Sequence, residues 1–433
     1  MIIRRRAVFS IEPMSSNVLV VGAGIVGAST ALALAERGHR VTVIDQAGSI
    51  AAGASGSNGA QLSYSYTDAM ASPDTFKDLP KLLAGRDPAF RLSSGINRDL
   101  LAWGARFIRN CTQSRSDANT LSVLELALRS RTIMHDWRQK YQFDFNHRSA
   151  GKLHLYEHRS DLDRARERVE LKNASGANQK VLSRAQVFEI EPLLQHIEGD
   201  LAGAVYSPDD DIGDAALFAA AALEKAAEIS GGRIHLCVRL IDFALEGTSC
   251  RAVKTSEGDI EADTVILCAG FQTRMLAKML GANLSILPVS GYSLTYAVSE
   301  GTPATSITDM SRKLVICRVG DKVRVAGMAD MGLVTNKPPD KRIQTLMRSV
   351  QNRFPLAADY SGDAHPWVGI RPMTPDNRPV IRQCGASNVF VNCGHGMLGW
   401  TLAAGAADML REQIQHEESR AFNLDRLCEL TNQ

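Results

Sequence analysis

The fold is decided by the stretch Val18-Leu-Val-Val-Gly-Ala-Gly-Ile-Val-Gly27. It opens with a short apolar, β-branched run, which predicts a buried parallel strand that ends in a glycine loop. Residues 25–37 are rich in alanine and leucine and stop at Gly38, as expected for a helix with a glycine C-cap. A second apolar run, Val41-Thr-Val-Ile44, is followed by Asp45. Strand, helix and strand in this order predict a right-handed crossover in a parallel sheet.

The spacing Gly22-x-Gly24-x-x-Gly27 suits a bound pyrophosphate. Free backbone N–H groups and the dipole at a helix start favour an anion, and a Cβ atom at Gly24 would block its approach. Gly27 lets the helix pack closely on the strand. Asp45 can accept hydrogen bonds from ribose hydroxyls, and it would repel a 2′-phosphate, which disfavours NADP. We therefore predict that the unit binds an ADP-containing dinucleotide, either NAD or FAD.

Bulk composition excludes several classes of function. The chain has 433 residues, enough for two domains, and 49 Lys and Arg residues nearly balance 47 Asp and Glu residues. A net charge of +2 gives no indication of nucleic-acid binding. No apolar run is long enough to suggest a membrane-spanning helix. The eight cysteines are dispersed, which indicates reduced thiols in the cytosol rather than a metal site or a disulfide framework. The cluster Arg4-Arg5-Arg6 would suit a lipid surface, but we favour an irregular leader that is not a signal peptide.

The pattern of strand, glycine loop and helix returns at the end of the chain. A helix over residues 215–229 is predicted with Asp214 as its cap, and the acidic run Asp209-Asp-Asp211 before it is interpreted as a turn. The fold class that we predict is α/β plus α+β: a discontinuous Rossmann-like dinucleotide-binding domain and a second substrate domain with a mixed antiparallel sheet. The expected boundaries are 15–75, 213–288 and 366–420 for the first domain and 76–212 and 289–365 for the second, after a disordered leader at 1–14.

Two later segments favour FAD over NAD. Asp263-Thr-Val-Ile-Leu-Cys-Ala-Gly270 is a predicted strand that ends in small residues, where a backbone can pass close to a ligand. Asn392-Cys-Gly-His-Gly-Met-Leu-Gly399 is a second glycine-rich junction between a strand and a helix. The start of that helix would suit a second anionic centre, such as the N1–C2=O edge of a reduced flavin. Ordinary close packing is the alternative explanation for either segment taken alone.

From about residue 17 to residue 410 the sequence resembles the D-amino acid dehydrogenases, flavoenzymes of the D-amino acid oxidase superfamily. The superfamily shares the first glycine loop, whereas the two last motifs are long and specific. The motifs that carry the resemblance are Val21-Gly-Ala-Gly-Ile-Val-Gly27, Ser57-Asn-Gly-Ala-Gln-Leu-Ser63, Pro208-Asp-Asp-Asp-Ile-Gly-Asp214, Gly291-Tyr-Ser-Leu-Thr295, Gly369-Ile-Arg-Pro-Met-Thr-Pro-Asp376 and Gly394-His-Gly-Met-Leu-Gly-Trp-Thr401.

The resemblance implies FAD in an extended pose between the two domains. It is implied to be non-covalent, because no cysteine lies near Pro375, where related sarcosine oxidases attach their flavin. The order Asn58-Gly59-Ala60-Gln61 departs from the Asn-Ala-Gly-Gln of relatives within the flavin loop. The implied contacts are Gly22, Ala23, Gly24, Ile25, Val26 and Gly27 at the pyrophosphate; Asp45 and Gln46 at the ribose; Ser57, Asn58, Gly59, Ala60, Gln61 and Leu62 at the pyrophosphate and flavin; Ile241 near the adenine; Ala269 and Gly270 along the ribityl chain; and Gly394, Gly396, Met397, Leu398, Gly399, Trp400 and Thr401 at the isoalloxazine.

Arg371 is the leading substrate residue, because the resemblance places an arginine for the substrate carboxylate here and a guanidinium offers two parallel hydrogen bonds. Tyr292 would add a hydroxyl to the same carboxylate, or it packs in the core with its hydroxyl satisfied. His395 is expected to play a polar role towards flavin or substrate rather than to abstract a proton, since oxidation of a neutral amine needs no protein base.

The implied reaction is oxidative deamination of D-amino acids to 2-oxo acids and ammonia, with hydride passing from Cα to flavin N5. The implied electron acceptor is a quinone or another respiratory carrier. A cytoplasmic protein, in peripheral contact with the inner face of the membrane or with a partner subunit, would meet that need. Two alternatives stay open: a secondary-amine enzyme acting on sarcosine, proline or hydroxyproline, and an FAD-bearing subunit that serves assembly or electron relay in a larger complex.

Overall fold

The computed structural model describes residues 15–92 and 97–431, with side chains described as far as residue 417, so the expected leader at 1–14 lies outside the described residues. The strands are β1 Asn17–Val21, β2 Arg40–Ile44, β3 Gln61–Leu62, β4 Phe90–Leu92, β5 Lys152–Tyr156, β6 Lys180–Ser183, β7 Gly203–Ser207, β8 Asp211–Ile212, β9 Arg233–His235, β10 Leu240–Glu246, β11 Ser249–Thr255, β12 Gly258–Glu261, β13 Thr264–Leu267, β14 Leu287–Ala297, β15 Ser306–Asp309, β16 Leu314–Val319, β17 Lys322–Met331, β18 His365–Met373, β19 Val380–Cys384 and β20 Ala386–Cys393. The helices are α1 Ile25–Ala35, α2 Pro73–Leu83, α3 Arg98–Asn110, α4 Gln113–Tyr141, α5 Arg159–Asn173, α6 Arg184–Ile190, α7 Ala215–Ser230, α8 Thr273–Met279, α9 Asp340–Arg353 and α10 Gly399–Thr431.

A six-stranded sheet gathers strands from distant parts of the chain, in the order β19-β20-β13-β1-β2-β9. All of its pairings are parallel except that of β19 with β20. Helices α1, α7 and α10 bury their small and apolar side chains against one face, and the antiparallel sheet β10-β11-β12 covers the other. The predicted discontinuous Rossmann-like architecture is confirmed.

A nine-stranded mixed sheet forms the second layer, in the order β18-β14-β17-β16-β15-β5-β7-β6, with β4 paired to β17. Leu153 and Leu155 of β5 face a core that includes α9. Helix α9 is tied to this sheet by a buried ion pair in which Nε of Arg353 donates to Asp309 at 2.8 Å. Strand β18 pairs with β14 in this sheet, although most of its residues fall within the segment 366–420 that is expected to belong to the first domain. The expected domain boundaries stay a prediction.

Helix α7 begins where the sequence predicts it. The Oδ1 atom of Asp214 accepts hydrogen bonds from the backbone N–H groups of Ala216 and Leu217, at 2.9 and 3.2 Å. Such a cap typically stabilises a helix by about 1 kcal/mol. Among the described residues, no helix is long and apolar enough to cross a membrane, and no group of side chains is suited to hold a metal ion.

Candidate active site

A cavity of about 1520 Å³ lies between the six-stranded and nine-stranded sheets. Typical small-molecule pockets enclose roughly 300–1,000 Å³, so this cavity has room for a dinucleotide and a small substrate together. Its lining contains most of the residues that the sequence analysis selects, although they come from widely separated parts of the chain. Those residues are Gly22, Gly24, Ile25, Val26, Asp45, Gln46, Ser57, Asn58, Gly59, Ala60, Gln61, Ala269, Gly270, Tyr292, Arg371, His395, Gly396, Met397, Leu398, Gly399, Trp400 and Thr401.

The start of α1 forms one end of the cavity. Gly24 is its N-cap and supplies no side-chain hydrogen bond, and one N–H group of the first turn, that of Ile25, is held at 3.0 Å by Oγ of Ser55. Asp45 accepts hydrogen bonds from the N–H groups of Ala23 and Ala47, at 2.7 and 2.9 Å, and still faces the cavity. This end therefore offers N–H groups to an anion and a carboxylate to a polar neighbour, as an ADP group requires.

Four of the selected glycine-loop and flavin-loop residues support the cavity without lining it. A Cβ atom at Gly27 would overlap the carbonyl oxygen of Gly22, so Gly27 is required for the close approach of α1 to β1. Ala23 donates its N–H to Asp45. Leu62 is fully buried in the core, and Gly394 has a φ of +79°, which favours glycine.

The assignment of Ile241 to the adenine site stays a prediction; its side chain is 50% exposed and lies outside the cavity lining. Its neighbours Val238, Arg239 and Leu240 line the cavity instead. Strand β10 begins at Leu240, and successive side chains of a strand point to opposite faces. A shift of one residue along a strand can therefore exchange a side chain that faces the cavity for one that faces solvent.

The loop after β2 is held by side chains of the nine-stranded sheet. Oγ of Ser293 donates to the carbonyl of Ser57 at 2.6 Å, and the guanidinium of Arg324 donates to the carbonyl of Asn58 at 3.0 Å. Nε2 of Gln61 donates to Oγ of Ser306 at 2.6 Å. The composition of residues 48–63 suggests a mobile loop, but these hydrogen bonds anchor its second half to the nine-stranded sheet.

The second glycine junction forms the opposite end of the cavity, at the start of α10. Thr401, in the first turn, accepts a hydrogen bond from the N–H of Ser63 at 2.9 Å. Nε1 of Trp400 donates to the carbonyl of Gly213 at 3.0 Å. His395 is 3% exposed, and burial lowers its pKa to about 4, so the imidazole is neutral at pH 7. Its Nε2 has no hydrogen-bond partner among the described residues.

Arg371 stands on β18 with its guanidinium over Gly291 of the paired strand β14. Nη1 donates to the carbonyl of Met328 at 2.9 Å. Burial lowers the pKa of Arg371 to about 10, which leaves it charged at pH 7. Within the part of the chain that the structure describes, no carboxylate forms an ion pair with it. A charged group enclosed in this way is costly unless an anion joins it.

The hydroxyl of Tyr292 donates to Oδ2 of Asp330 at 2.7 Å, and Asp330 pairs with Arg342 at 2.6 Å. Burial, together with the Asp330 carboxylate, raises the pKa of Tyr292 well above its usual range. Tyr292 still lines the cavity, but its hydroxyl proton is already donated to Asp330. This arrangement agrees with the alternative in which the tyrosine hydroxyl is satisfied within the core.

The structure adds cavity residues that the sequence analysis missed. The indole of Trp367 lies over Gly369 on the strand that carries Arg371, and Trp103 donates Nε1 to the carbonyl of Met373 at 2.9 Å. Lys152 of β5 reaches the cavity wall although it is only 2% exposed. The sequence indicates this residue only by a lysine that begins a strand rich in leucine. The acidic run is also more than a turn, because Asp210 and Asp211 are 1% and 3% exposed.

Comparison with known proteins agrees with this geometry. The family model described as FAD dependent oxidoreductase matches residues 17–413. The chain is 35% identical over 408 residues to D-amino acid dehydrogenase 2 of Ralstonia nicotianae, covering 92% of this chain and 96% of that one. It is also 35% identical over 417 residues to a D-amino acid dehydrogenase of Paramagnetospirillum magneticum, covering 95% and 97%.

Similar folds occur among solved structures. Glycine oxidase from Bacillus cereus matches with a TM-score of 0.71 at 20% identity, over 93% of this chain and 96% of that chain. L-proline dehydrogenase from P. horikoshii matches with a TM-score of 0.70 at 19% identity, over 93% and 94%. These two likenesses establish the shared fold.

Proposed function

Because the chain belongs to the FAD-dependent oxidoreductase family, we propose that it is a D-amino acid dehydrogenase that converts D-amino acids to 2-oxo acids and ammonia. The observation that carries the proposal is Arg371, a charged guanidinium in the cavity without a carboxylate partner among the described residues. The names of the relatives at 35% identity support the D-amino acid as substrate.

The cavity residues fit FAD as the cofactor. The start of α1 and Asp45 would hold the ADP end, and the start of α10 would lie against the flavin end. FAD bound there supplies the two-electron acceptor for oxidation of the Cα–H bond. No cysteine lies beside Pro375 in the sequence, which supports non-covalent binding.

The protein contributes position and charge to the reaction. Arg371 would hold the substrate carboxylate with a charge-assisted pair and so fix the orientation of Cα. The aromatic wall formed by Trp367 on the same strand would exclude water from one side of the substrate. His395 is neutral at pH 7 and therefore places no charge next to the substrate amine.

The decisive experiment is anaerobic reduction of the purified holoprotein by single substrates. We expect the flavin absorbance to bleach with D-amino acids and not with L-amino acids, glycine, sarcosine, proline or hydroxyproline. Bleaching by the secondary amines alone would make the chain a secondary-amine enzyme. Bleaching by none of these substrates, together with co-purification of a stoichiometric partner, would support the electron-relay subunit.

Variants of Arg371 test the substrate contact itself. Loss of a charge-assisted hydrogen bond costs about 1.5–3 kcal/mol, so Arg371→Ala should lower kcat/KM roughly 10- to 150-fold and act mainly on KM. Arg371→Lys keeps the charge without the two-pronged geometry and should recover only part of the loss. Near-normal kcat/KM in Arg371→Ala would remove the residue from the site.

We also propose that the electrons pass to a quinone or another respiratory carrier at a membrane surface. Helices α2 and α3 contribute residues to the cavity lining, and Phe76, Leu83 and Leu101 on these helices are at least half exposed. Exposed basic residues, Lys77 and Arg109 among them, stand on the same two helices. Apolar and basic side chains together suit a peripheral contact with anionic lipid.

Vesicle binding tests this contact. The protein should sediment with vesicles that contain anionic phospholipid, and a Phe76→Glu/Leu101→Glu variant should not. Leu245→Glu is the matched control, because Leu245 is 55% exposed on β10 and lies outside the cavity lining. Equal sedimentation of all three proteins, or rapid reoxidation by oxygen in place of quinone, would contradict the proposal.

A further inference from the structure

Strand β5 carries a lysine into the interior of the protein. It lies between β15 and β7 near one end of the nine-stranded sheet. Its residues alternate, so Leu153 and Leu155 enter the core while Lys152 and His154 point to the opposite face. Lys152 is 2% exposed and nevertheless lines the cavity. Burial of an ammonium group is costly, so packing alone does not explain the position of Lys152.

The contacts of Lys152 connect it to the start of α10. Its Nζ donates to Oγ of Ser63 at 2.7 Å and lies 4.7 Å from the ring centroid of Tyr66. The N–H of the same Ser63 donates to Oγ1 of Thr401, in the first turn of α10. The ammonium group is therefore one residue removed from a helix start that already carries a partial positive charge.

A nearby carboxyl, Asp210, is buried together with the ammonium group, and burial raises the pKa of Asp210 to about 7. Burial lowers the pKa of Lys152, and the negative charge of Asp210 opposes that shift. Asp210 is 1% exposed and accepts a hydrogen bond from the N–H of Ser65 at 3.1 Å. Lys172, the other cation of this cluster, is instead paired with Asp68 at 2.6 Å and lies outside the cavity lining. The remaining groups that act on Lys152 are neutral at pH 7: Tyr66, and Cys317, whose pKa burial raises to about 12.

The sheet separates Lys152 from Arg371. Arg371 stands on the first strand of the sheet and Lys152 on the sixth, which is five inter-strand steps away. At about 4.8 Å for each step, the separation along the sheet is roughly 24 Å. An amino acid held by Arg371 cannot reach across that distance. A ligand that meets both residues must therefore be larger than an amino acid and fill the cavity between them.

We propose that Lys152 is the charge that stabilises reduced flavin, acting together with the start of α10 at a distance from Arg371 along the same sheet. Reduction of FAD by two electrons and one proton adds one negative charge to its ring system, and a fixed ammonium group lowers the free energy of that form more than of the oxidised form. Lys152 thus raises the reduction potential of the bound cofactor. The inference rests on FAD binding and is independent of the substrate.

The test measures the cofactor without any amino acid. Sulfite adds to oxidised flavin and leaves the same negative charge on the ring, so its dissociation constant reports the stabilisation. Lys152→Met should weaken sulfite binding about tenfold or more. The midpoint potential, measured by photoreduction against a reference dye, should fall by about 30 mV for each tenfold change. Lys152→Arg should restore both values to within roughly threefold of the original protein.

Two further variants make the result decisive. Lys152→Gln preserves a hydrogen bond to Ser63 but not the charge, so it should behave as Lys152→Met even where the methionine variant folds poorly. Lys172→Met removes the other buried cation of the cluster and should leave sulfite binding unchanged. Unaltered sulfite affinity and potential in FAD-loaded Lys152→Gln would overturn the proposal, as would equal shifts in the Lys152 and Lys172 variants.

Discussion

The guanidinium of Arg371 occupies the space above Gly291 that any larger residue at that position would need. The two residues stand on the paired strands β18 and β14, and a Cβ atom at Gly291 would collide with the guanidinium. The β14 ladder with β17 shifts register at the same place, between Ser290 and Tyr292. A glycine on one strand therefore makes room for a half-buried cation on its neighbour.

Gly291→Ala should disturb the substrate site without altering any charge. The methyl group forces the Arg371 side chain to move, and a pair that depends on two parallel hydrogen bonds is sensitive to that movement. We expect KM for the amino acid to rise about tenfold, with kcat less affected and FAD content normal. Gly362→Ala is the control, because Gly362 has no neighbour within 4 Å of the added carbon. Equal KM values in both variants would show that Arg371 tolerates displacement.

Asp45→Ala should weaken FAD binding. The carboxylate orders the glycine loop through the N–H groups of Ala23 and Ala47 and faces the cavity. Loss of the expected charge-assisted hydrogen bond from FAD to Asp45, worth about 1.5–3 kcal/mol, should raise the dissociation constant of FAD roughly 10- to 150-fold. Flavin fluorescence measures this constant. Asp263→Ala is the matched control, since Asp263 accepts the N–H of Asn17 at 2.7 Å in the same sheet and lies outside the cavity lining. A smaller effect at Asp45 than at Asp263 would contradict the assignment.

The sequence predicts the elements whose geometry is local. The first strand, helix and strand follow from apolar periodicity and glycine spacing, and the Asp214 cap follows from its position before an alanine-rich helix. The cofactor is confirmed as FAD, which the second glycine junction and the family motifs indicated. For the strands, the helix and the cap, the residues that decide the structure lie within one short segment, so their spacing carries the information.

The sequence is less informative where the outcome depends on register or on contacts across the chain. Ile241 is one position away from residues that line the cavity, and no local signal fixes where β10 starts. Asp210 looks like a surface residue in an acidic run, but its burial comes from packing against segments such as that of Ser65, which is distant in sequence. Lys152 is similar, because its partners belong to other elements of the fold.

Arg353→Met should destabilise the fold. Arg353 and Asp309 are each 1% exposed, and the guanidinium also donates to the carbonyls of Glu198 and Asp200. Removal of Arg353 leaves the buried carboxylate of Asp309 with only the longer, 3.6 Å ion pair to Arg312, and loss of one partner of a buried pair costs about 3–5 kcal/mol. Urea unfolding at constant excess FAD should show this loss. Arg159→Met is the control, because the exposed pair of Arg159 with Asp163 should contribute less than about 1 kcal/mol. A loss below about 1 kcal/mol in Arg353→Met would show that the pair is hydrated.

Protonation of His395 should lower the free energy of unfolding as the pH falls from about 6.5 towards 4. Its pKa is lowered by burial from 6.5 to about 4, so the folded protein holds a neutral ring where the unfolded chain binds a proton. Stability conferred by the neutral ring is complete above about pH 6.5 and declines as the pH falls towards 4. At 1.36 kcal/mol for each pH unit, the decline between pH 7 and pH 4.5 is roughly 2–3 kcal/mol.

The His395→Gln variant isolates this contribution, because glutamine is polar and does not titrate. Urea unfolding of both proteins at pH 7 and at pH 4.5, with FAD in equal excess, gives the difference in unfolding free energy at each pH. That difference should shift in favour of the variant by roughly 2–3 kcal/mol at the lower pH. A difference that does not change with pH would mean that the folded protein accommodates the imidazolium. A charged ring at the start of α10 would then share the stabilisation of reduced flavin that is assigned to Lys152.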